Sequence, residues 1–301
     1  MLHTVAKLHY VGELSQVRIA KQLGLSTATI SRLLQRARAE GIVRIEVREI
    51  FGPDELGERL ADRLGLDQVV VVDAPAADMF SALAPPLSRM LAEAGLGRDC
   101  VLMLGWGRTV WAVIDAGLPP LPGVIVVPST GGMQQKADYF HSNEFARRAA
   151  DLTGGVPQLI HAPYLSAPAV FEAFLAETSV RDAMALWDRI DVAVVGIGMK
   201  HKAERLDIGD ERHDPLLDDS VGDVVRHYFD EQGNIINWRG EGHMIGVTCD
   251  QLRRAPISIG LAAGNEKVRS IIGAARTGMI TRLITDTRTA EGVLDRLSAI
   301  T

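Results

Sequence analysis

From Pro53 onward the chain repeats one pattern, a short run of wholly apolar residues followed by a longer amphipathic stretch. The runs Gln68–Val72, Cys100–Leu104, Gly123–Val127, Gln158–Ala162, Val192–Gly196, Ile257–Ala262 and Leu283–Thr285 read as strands. Between and after them, Glu55–Leu64, Phe80–Ala94, Thr109–Ala116, Ser142–Thr153, Ala169–Glu177, Val180–Asp188, Val268–Thr277 and Thr289–Leu297 read as helices. A strand that is apolar throughout has no face to give to water, so it belongs in a sheet covered on both sides. Regular alternation with helices makes that sheet largely parallel, an α/β fold of Rossmann-like style.

The first fifty residues follow a different rule. Ser15–Gln35 reads as two short helices, Gln16–Leu23 and Thr27 onward, around the turn Gly24-Leu25-Ser26. Ala20 stands where two such helices cross most closely, and Gly24 falls where the turn needs positive φ. Ile30 and Leu33 return to the shared core, and Ser26 is placed to cap the second helix. This spacing predicts an all-α helix-turn-helix. Met1–Tyr10 reads as a helix end packed against it. Gly41 is the expected C-terminal stop, and Ile42–Val47 alternates as a half-exposed strand. Phe51-Gly52-Pro53-Asp54 interrupts the pattern, with Asp54 as a candidate cap, so the expected domains are 1–52 and 53–301.

Charge separates along the same line. Residues 1–50 hold eight Lys or Arg against four Glu, a net of +4, whereas the rest holds 24 basic against 34 acidic residues, a net of −10. A basic head on an acidic body is what a chain needs if only the head meets phosphate. In a helix-turn-helix the second helix enters the major groove. Ser26, Thr27, Ala28, Ser31, Arg32, Gln35 and Arg36 fall at its start or on its outward positions and are the candidates for contact with DNA. Arg38 and Arg44 suit phosphate contact or simple solvation. One motif makes few contacts, so operator binding requires at least a dimer.

The two cysteines, Cys100 and Cys249, lie beside apolar runs and read as reduced thiols outside any disulfide or zinc framework. No apolar run approaches membrane-spanning length and no leader-like segment precedes the first helix, so a soluble cytoplasmic protein without a membrane partner is expected. The segment Lys200–Asp214, with His201 and His213, reads as a solvated loop without metal-ligand spacing. No nucleophile elbow, HExxH or Walker loop is present, so no catalytic residue, metal or cofactor is assigned.

Ligand-binding candidates come from glycines at strand ends. Leu104-Gly105-Trp106-Gly107-Arg108-Thr109 lets backbone approach a ligand at a helix start, with Thr109 and free N–H groups facing a phosphate. Val110 stands where the dinucleotide fingerprint wants a third glycine. Thr130-Gly131-Gly132 and Gly196-Ile197-Gly198 follow two further strands. Three such turns at the C-terminal edge of one sheet mark a small-molecule site. Lys267, between a strand and a helix, serves either as an anion ligand or as a solvated lysine. His141 and Asp223 fall in loop or helix-start contexts that do not assign them a role.

These motifs, in order along nearly the whole chain, resemble the SorC-type (DeoR-like) sugar-responsive transcriptional regulators of bacteria. The likeness rests on the head and on Gly105-Trp106-Gly107-Arg108-Thr109, Gly131-Gly132, His141 with Asn143, and Ala162-Pro163. It continues through Gly196-Ile197-Gly198, Gly264 to Lys267, and Leu283-Ile284-Thr285-Asp286 with Thr289-Ala290. The resemblance implies an effector domain similar in fold to glucosamine-6-phosphate deaminase and ribose-5-phosphate isomerase that senses rather than converts. It implies that Gly107-Arg108-Thr109 and Lys267 hold a phosphate and that His141 and Asp223 meet sugar hydroxyls. Regulators of this type that bind a bisphosphate sugar carry arginine where this chain has Thr130, which implies a monophosphate, a free sugar or a polyol. The partners implied are operator DNA, that small molecule, and further copies of the chain as a dimer or, as is usual in the family, a tetramer. The competing expectation is a sugar-phosphate isomerase or deaminase with an appended helical head.

Overall fold

The computed structural model describes residues 1–43, 52–75, 78–132, 141–199 and 215–300. The chain divides into two compact units, Met1–Ile50 and Phe51–Thr301.

In the first unit, α1 (Leu2–Ala6) runs on into a π-helical turn, Lys7–Val11. The helices α2 (Gln16–Leu23) and α3 (Thr27–Ala39) follow, both capped by serine. The Arg18 amide donates to Ser15 Oγ at 3.3 Å, and the Thr29 amide to Ser26 Oγ at 3.1 Å. Gly24 sits between the helices at φ +67. Val5, Ile19, Ala20, Ile30 and Leu34 form the core. Leu33, expected inside, is only partly buried, because one residue's rotation of about 100° along α3 gives the inward position to Leu34. Gly41, at φ +73, follows the end of α3. Ile42 and Val43 are bends rather than strand, and the remainder of the Ile42–Val47 prediction, Arg44 included, lies outside the described residues.

The second unit opens with α4 (Pro53–Leu64), whose N-cap is Gly52. Pro53 occupies the first turn, where its missing N–H costs nothing, so Asp54 lies inside the helix and is not its cap. In order there follow β1 (Gln68–Val72), α5 (Ala84–Glu93), β2 (Val101–Leu104), α6 (Arg108–Ala116), β3 (Ile125–Pro128), α7 (Ser142–Thr153) and β4 (Val156–Pro157). Next come α8 (Pro168–Ala176), α9 (Thr178–Ala185), β5 (Val192–Gly196), β6 (Gly222–Val224), β7 (His227–Phe229) and β8 (Ile235–Ile236). The chain closes with α10 (Cys249–Arg254), β9 (Ile257–Leu261), α11 (Val268–Thr277), β10 (Arg282–Asp286) and α12 (Thr287–Ile300).

Seven strands form a parallel sheet in the order β1-β10-β9-β5-β2-β3-β4. Alternate residues feed two cores. Val101 and Met103 face a layer with Leu56 and Leu60 of α4 and Ile271 of α11, while Leu102 and Leu104 face Leu87, Val113 and Phe145. Both faces are therefore covered, as apolar strands require. The fold is α/β, with an all-α helix-turn-helix unit ahead of it.

The expected strand Gln158–Ala162 is not one. The Asn143 side chain takes both backbone groups of Ile160, each at 3.0 Å, and draws the chain away from the edge after Pro157. The charged segment Lys200–Asp214 lies outside the described residues. A second, antiparallel sheet, β6-β7-β8, lies where no strands are expected, and Asp223, expected in a loop or at a helix start, belongs to β6. Cys249 begins α10 rather than flanking a strand.

Glu231 fastens this small sheet to the helices. It is 5 % exposed and accepts from Arg296 Nε, from Arg296 Nη2 at 2.7 Å and from Arg269 Nε at 2.9 Å, while its carbonyl accepts from Arg276 at 2.8 Å. The bonds from Arg296 hold its carboxyl below the usual value of 4.5, more than burial raises it, with Arg269 adding to the effect. A depressed carboxyl stabilises the fold above its unfolded pKa, and that contribution is lost as pH falls through the folded value. Glu231→Gln is expected to lower unfolding free energy by about 2 kcal/mol at neutral pH. The deficit relative to the parent should shrink as pH drops below about 4.5, which denaturant titrations at several pH values would measure.

Candidate functional site

The order of the parallel sheet reverses between β2 and β5. From β2 the chain moves outward through β3 to β4, and from β5 it moves the other way through β9 to β10. Diverging connections leave a crevice beyond the carboxyl ends of the strands at such a point. A cavity with about 940 Å³ of empty space, open mouth included, lies there.

Its walls come from separate stretches of chain. Gly105 lies so close to β5 that its amide donates to the Val194 carbonyl at 2.7 Å. Gly107, at φ +116, heads α6 without a side-chain cap, so Arg108 and Thr109 form the first turn of a helix whose N-terminus faces the cavity. Beyond β5, Gly198 packs on Asp223, and a Cβ there would stand 1.9 Å from Asp223 Oδ1. Beyond β9, the Gly264 amide donates to Asp286 Oδ2 and Thr289 Oγ1, both at 2.9 Å, which anchors the turn that carries Glu266 and Lys267. Lys267 Nζ then donates to the Ile197 carbonyl at 2.7 Å.

The β6–β7 hairpin supplies the remaining wall. Its two turn residues, Val225 at φ +50 and Arg226 at φ +67, are both left-handed without being glycine. Such a turn ordinarily takes Asn-Gly, and a β-branched residue there is strained. Asp223 Oδ2 accepts the Arg226 amide at 3.1 Å and holds it. The Arg226 side chain is 1 % exposed and lies between the rings of Trp106 and Tyr164, 5.7 Å from each centroid, and that of Tyr228 at 5.9 Å. It donates to Tyr228 Oη at 2.8 Å and to Tyr164 Oη at 3.3 Å.

The cavity thus joins Arg108, Arg226 and Lys267 with Asp223 and Glu266, under Phe80. Burial lowers the Lys267 pKa; the carboxylates of Asp223 and Glu266 oppose that, and Arg108 adds to it. An anion bound beside Lys267 and Arg108 would relieve their repulsion.

Known proteins agree in both units. The family described as "Putative sugar-binding domain" matches residues 48–295, and "Sigma-70, region 4" matches residues 7–40, which include α2 and α3. The sorbitol operon regulator of Klebsiella pneumoniae is 29% identical over 304 residues, with 96% of each chain covered. The deoxyribonucleoside regulator of Bacillus subtilis is 30% identical over 312 residues, covering 97% of this chain and 96% of its own. The crystal structure of full-length SorC from Klebsiella pneumoniae superposes with a TM-score of 0.72 at 28% identity, over 97% of this chain and 98% of that one. The chain belongs to the SorC-type family of sugar-binding transcriptional regulators.

Within this SorC-type chain, Gly105, Gly107, Arg108, Thr109, Asp223 and Lys267 come together around the cavity. Thr130, Gly131 and His141 do not line it. Thr130 is fully buried, and the Gly131 amide donates to the Ile245 carbonyl at 2.9 Å. A Cβ on Gly131 would stand 2.5 Å from the Ala162 carbonyl oxygen, so this glycine serves a close crossing of backbones. His141 is the N-cap residue of α7, without a side-chain cap bond. Arg226 carried no sequence signal, since its turn lacks the Asn-Gly that would have announced a hairpin. In the helix-turn-helix unit, Ser26, Thr27, Ala28, Ser31, Arg32, Gln35 and Arg36 are all exposed. Arg36 pairs with Glu40 at 2.8 Å, and the Ser26 hydroxyl is committed to its cap.

Gly198→Ala is expected to lower unfolding free energy by about 1–3 kcal/mol in chemical denaturation. Adding Asp223→Ala should recover part of that loss, because the displaced carboxylate is then gone. An unchanged midpoint in the single variant would show that the loop yields instead.

Proposed function

We propose that the protein regulates transcription of a carbohydrate or polyol catabolic operon, with α3 reading operator DNA and the cavity at the β2–β5 reversal holding the effector. The observation that carries the second half is the convergence of the open N-terminus of α6, Arg108, Thr109 and Lys267 on one crevice. Together they suit one phosphate, while Asp223 suits sugar hydroxyls. Thr130, fully buried and outside the cavity lining, adds no second phosphate site, so a sugar monophosphate, a free sugar or a polyol is the effector class.

Thr27, Ala28, Ser31, Arg32 and Gln35 are the base-facing candidates, with Arg36 beside them at phosphate and Ser26 capping the helix that carries them. The family relatives are regulators by name, which supports a sensor rather than an isomerase or deaminase. A regulator that meets operator DNA acts in the cytoplasm, and no described helix is long and apolar enough to cross a membrane. The working unit is a homodimer or homotetramer, in which effector binding resets the packing between copies and so the spacing of their DNA-binding heads.

Gel shifts with DNA from upstream of the protein's own gene, with and without sugar phosphates, test both halves. Arg32→Ala should weaken DNA binding about tenfold or more yet keep the thermal stabilisation given by the effector. Lys267→Ala should keep DNA binding but lose the response to a sugar phosphate. A Lys267→Ala protein that still responds fully would remove that residue from the site, and turnover of the sugar phosphate would favour the enzyme reading.

A further inference from the structure

Away from the cavity, three side chains of unlike chemistry converge from three elements. They are His227 on β7, Glu241 in the short helical turn Glu241–His243, and Cys249 at the start of α10. A ring nitrogen, a carboxylate oxygen and the sulfur all lie within 4.8 Å of one another. His227 is buried, while the Glu241 side chain is 22% exposed and Cys249 is half-buried, which leaves an approach from solvent.

The imidazole is oriented as in a metal site. Its Nε2 lies 2.7 Å from the Val247 carbonyl, which can only accept, so Nε2 carries a proton. Nδ1 is thereby turned toward Glu241 Oε1 at 3.0 Å. One ring N–H fixed by a carbonyl and the other nitrogen facing a carboxylate and a thiol is the arrangement that prepares histidine for a cation. A proton can bridge Nδ1 and Glu241, and an arriving ion takes its place and releases it.

We propose that His227, Glu241 and Cys249 bind a thiophilic divalent cation of the zinc class, with water as the fourth ligand. Sulfur and nitrogen donors disfavour magnesium and calcium, which take oxygen, and suit zinc. Tetrahedral zinc with bonds of about 2.0–2.3 Å sets its ligand atoms roughly 3.3–3.8 Å apart. The widest pair therefore closes by about 1 Å on binding, within reach of rotation at Glu241 and Cys249. His227 directly follows Arg226, so the ion would also brace the strained turn that presents Arg226 to the cavity. The site does not depend on the effector reading and would stand if that reading failed.

Full-length protein, stripped with chelator and dialysed, would be titrated with zinc chloride and separately with cobalt(II). One zinc per chain is expected, with a thermal shift of roughly 5–10 °C at a hundredfold excess over Kd. Cobalt should give sulfur-to-metal charge-transfer absorption. Cys249→Ser should abolish that absorption and weaken zinc binding at least tenfold, Glu241→Gln should weaken it as well, and Cys100→Ser should change neither. No stoichiometric uptake, uptake that survives both Cys249→Ser and Glu241→Gln, or absorption lost in Cys100→Ser would overturn the proposal.

Discussion

Lys267 crosses from the turn after β9 to the carbonyl of Ile197 after β5, and this 2.7 Å bond joins two walls of the cavity. It forms because the sheet is parallel, so that the loops after β2, β5 and β9 all emerge at one edge. Three details hold the lysine there. Gly264 is tied back to Asp286 and Thr289, Gly198 leaves room for Asp223, and Asp223 with Glu266 partly offsets the burial of the ammonium group.

The small antiparallel sheet completes the enclosure at a cost. Two residues other than glycine in left-handed conformation cost on the order of 1–3 kcal/mol each. The surroundings resist relaxation from several directions: Asp223 grips the Arg226 amide, Trp238 donates to the Arg226 carbonyl at 3.2 Å, and Glu231 binds Arg269 and Arg296 on the helices. His227, one residue on, is locked between Glu241 and Val247. Burial alone would depress that imidazole, but hydrogen bonds to Cys249 and Glu241, with the Val247 carbonyl, raise it from 6.5 to about 10. Strain held by anchors on both sides keeps Arg226 in one position among its aromatic neighbours.

Much of this was legible in the sequence, for identifiable reasons. Val101–Leu104 and Val192–Gly196 are strands because both of their faces are buried, and an unbroken apolar run records that directly. Gly24 and Ser26 mark the helix-turn-helix because a turn and a cap each demand a residue type. Ile160 misled because its backbone partner is the Asn143 side chain, which no local pattern reveals. The β6–β8 sheet escaped because its strands are too short for period-two alternation and its tight turn is Val225-Arg226. For the cavity, the glycine turns point to the sheet edge where it lies. They could not separate Gly107, which opens a helix end to the cavity, from Gly131, which lets Ala162 pass close by.

The central claim is that one chain couples a sugar-sized guest in this cavity to DNA held by α3. Thermodynamic linkage makes the coupling reciprocal. The direct measurement is the affinity for the protein of the sugar, polyol or sugar phosphate that alters its gel shift, by calorimetry, free and then saturated with its upstream operator DNA. The account predicts that the effector's Kd changes by the same factor by which the effector changes the Kd for DNA. An effector affinity indifferent to DNA, alongside DNA binding that the effector clearly alters, would contradict it.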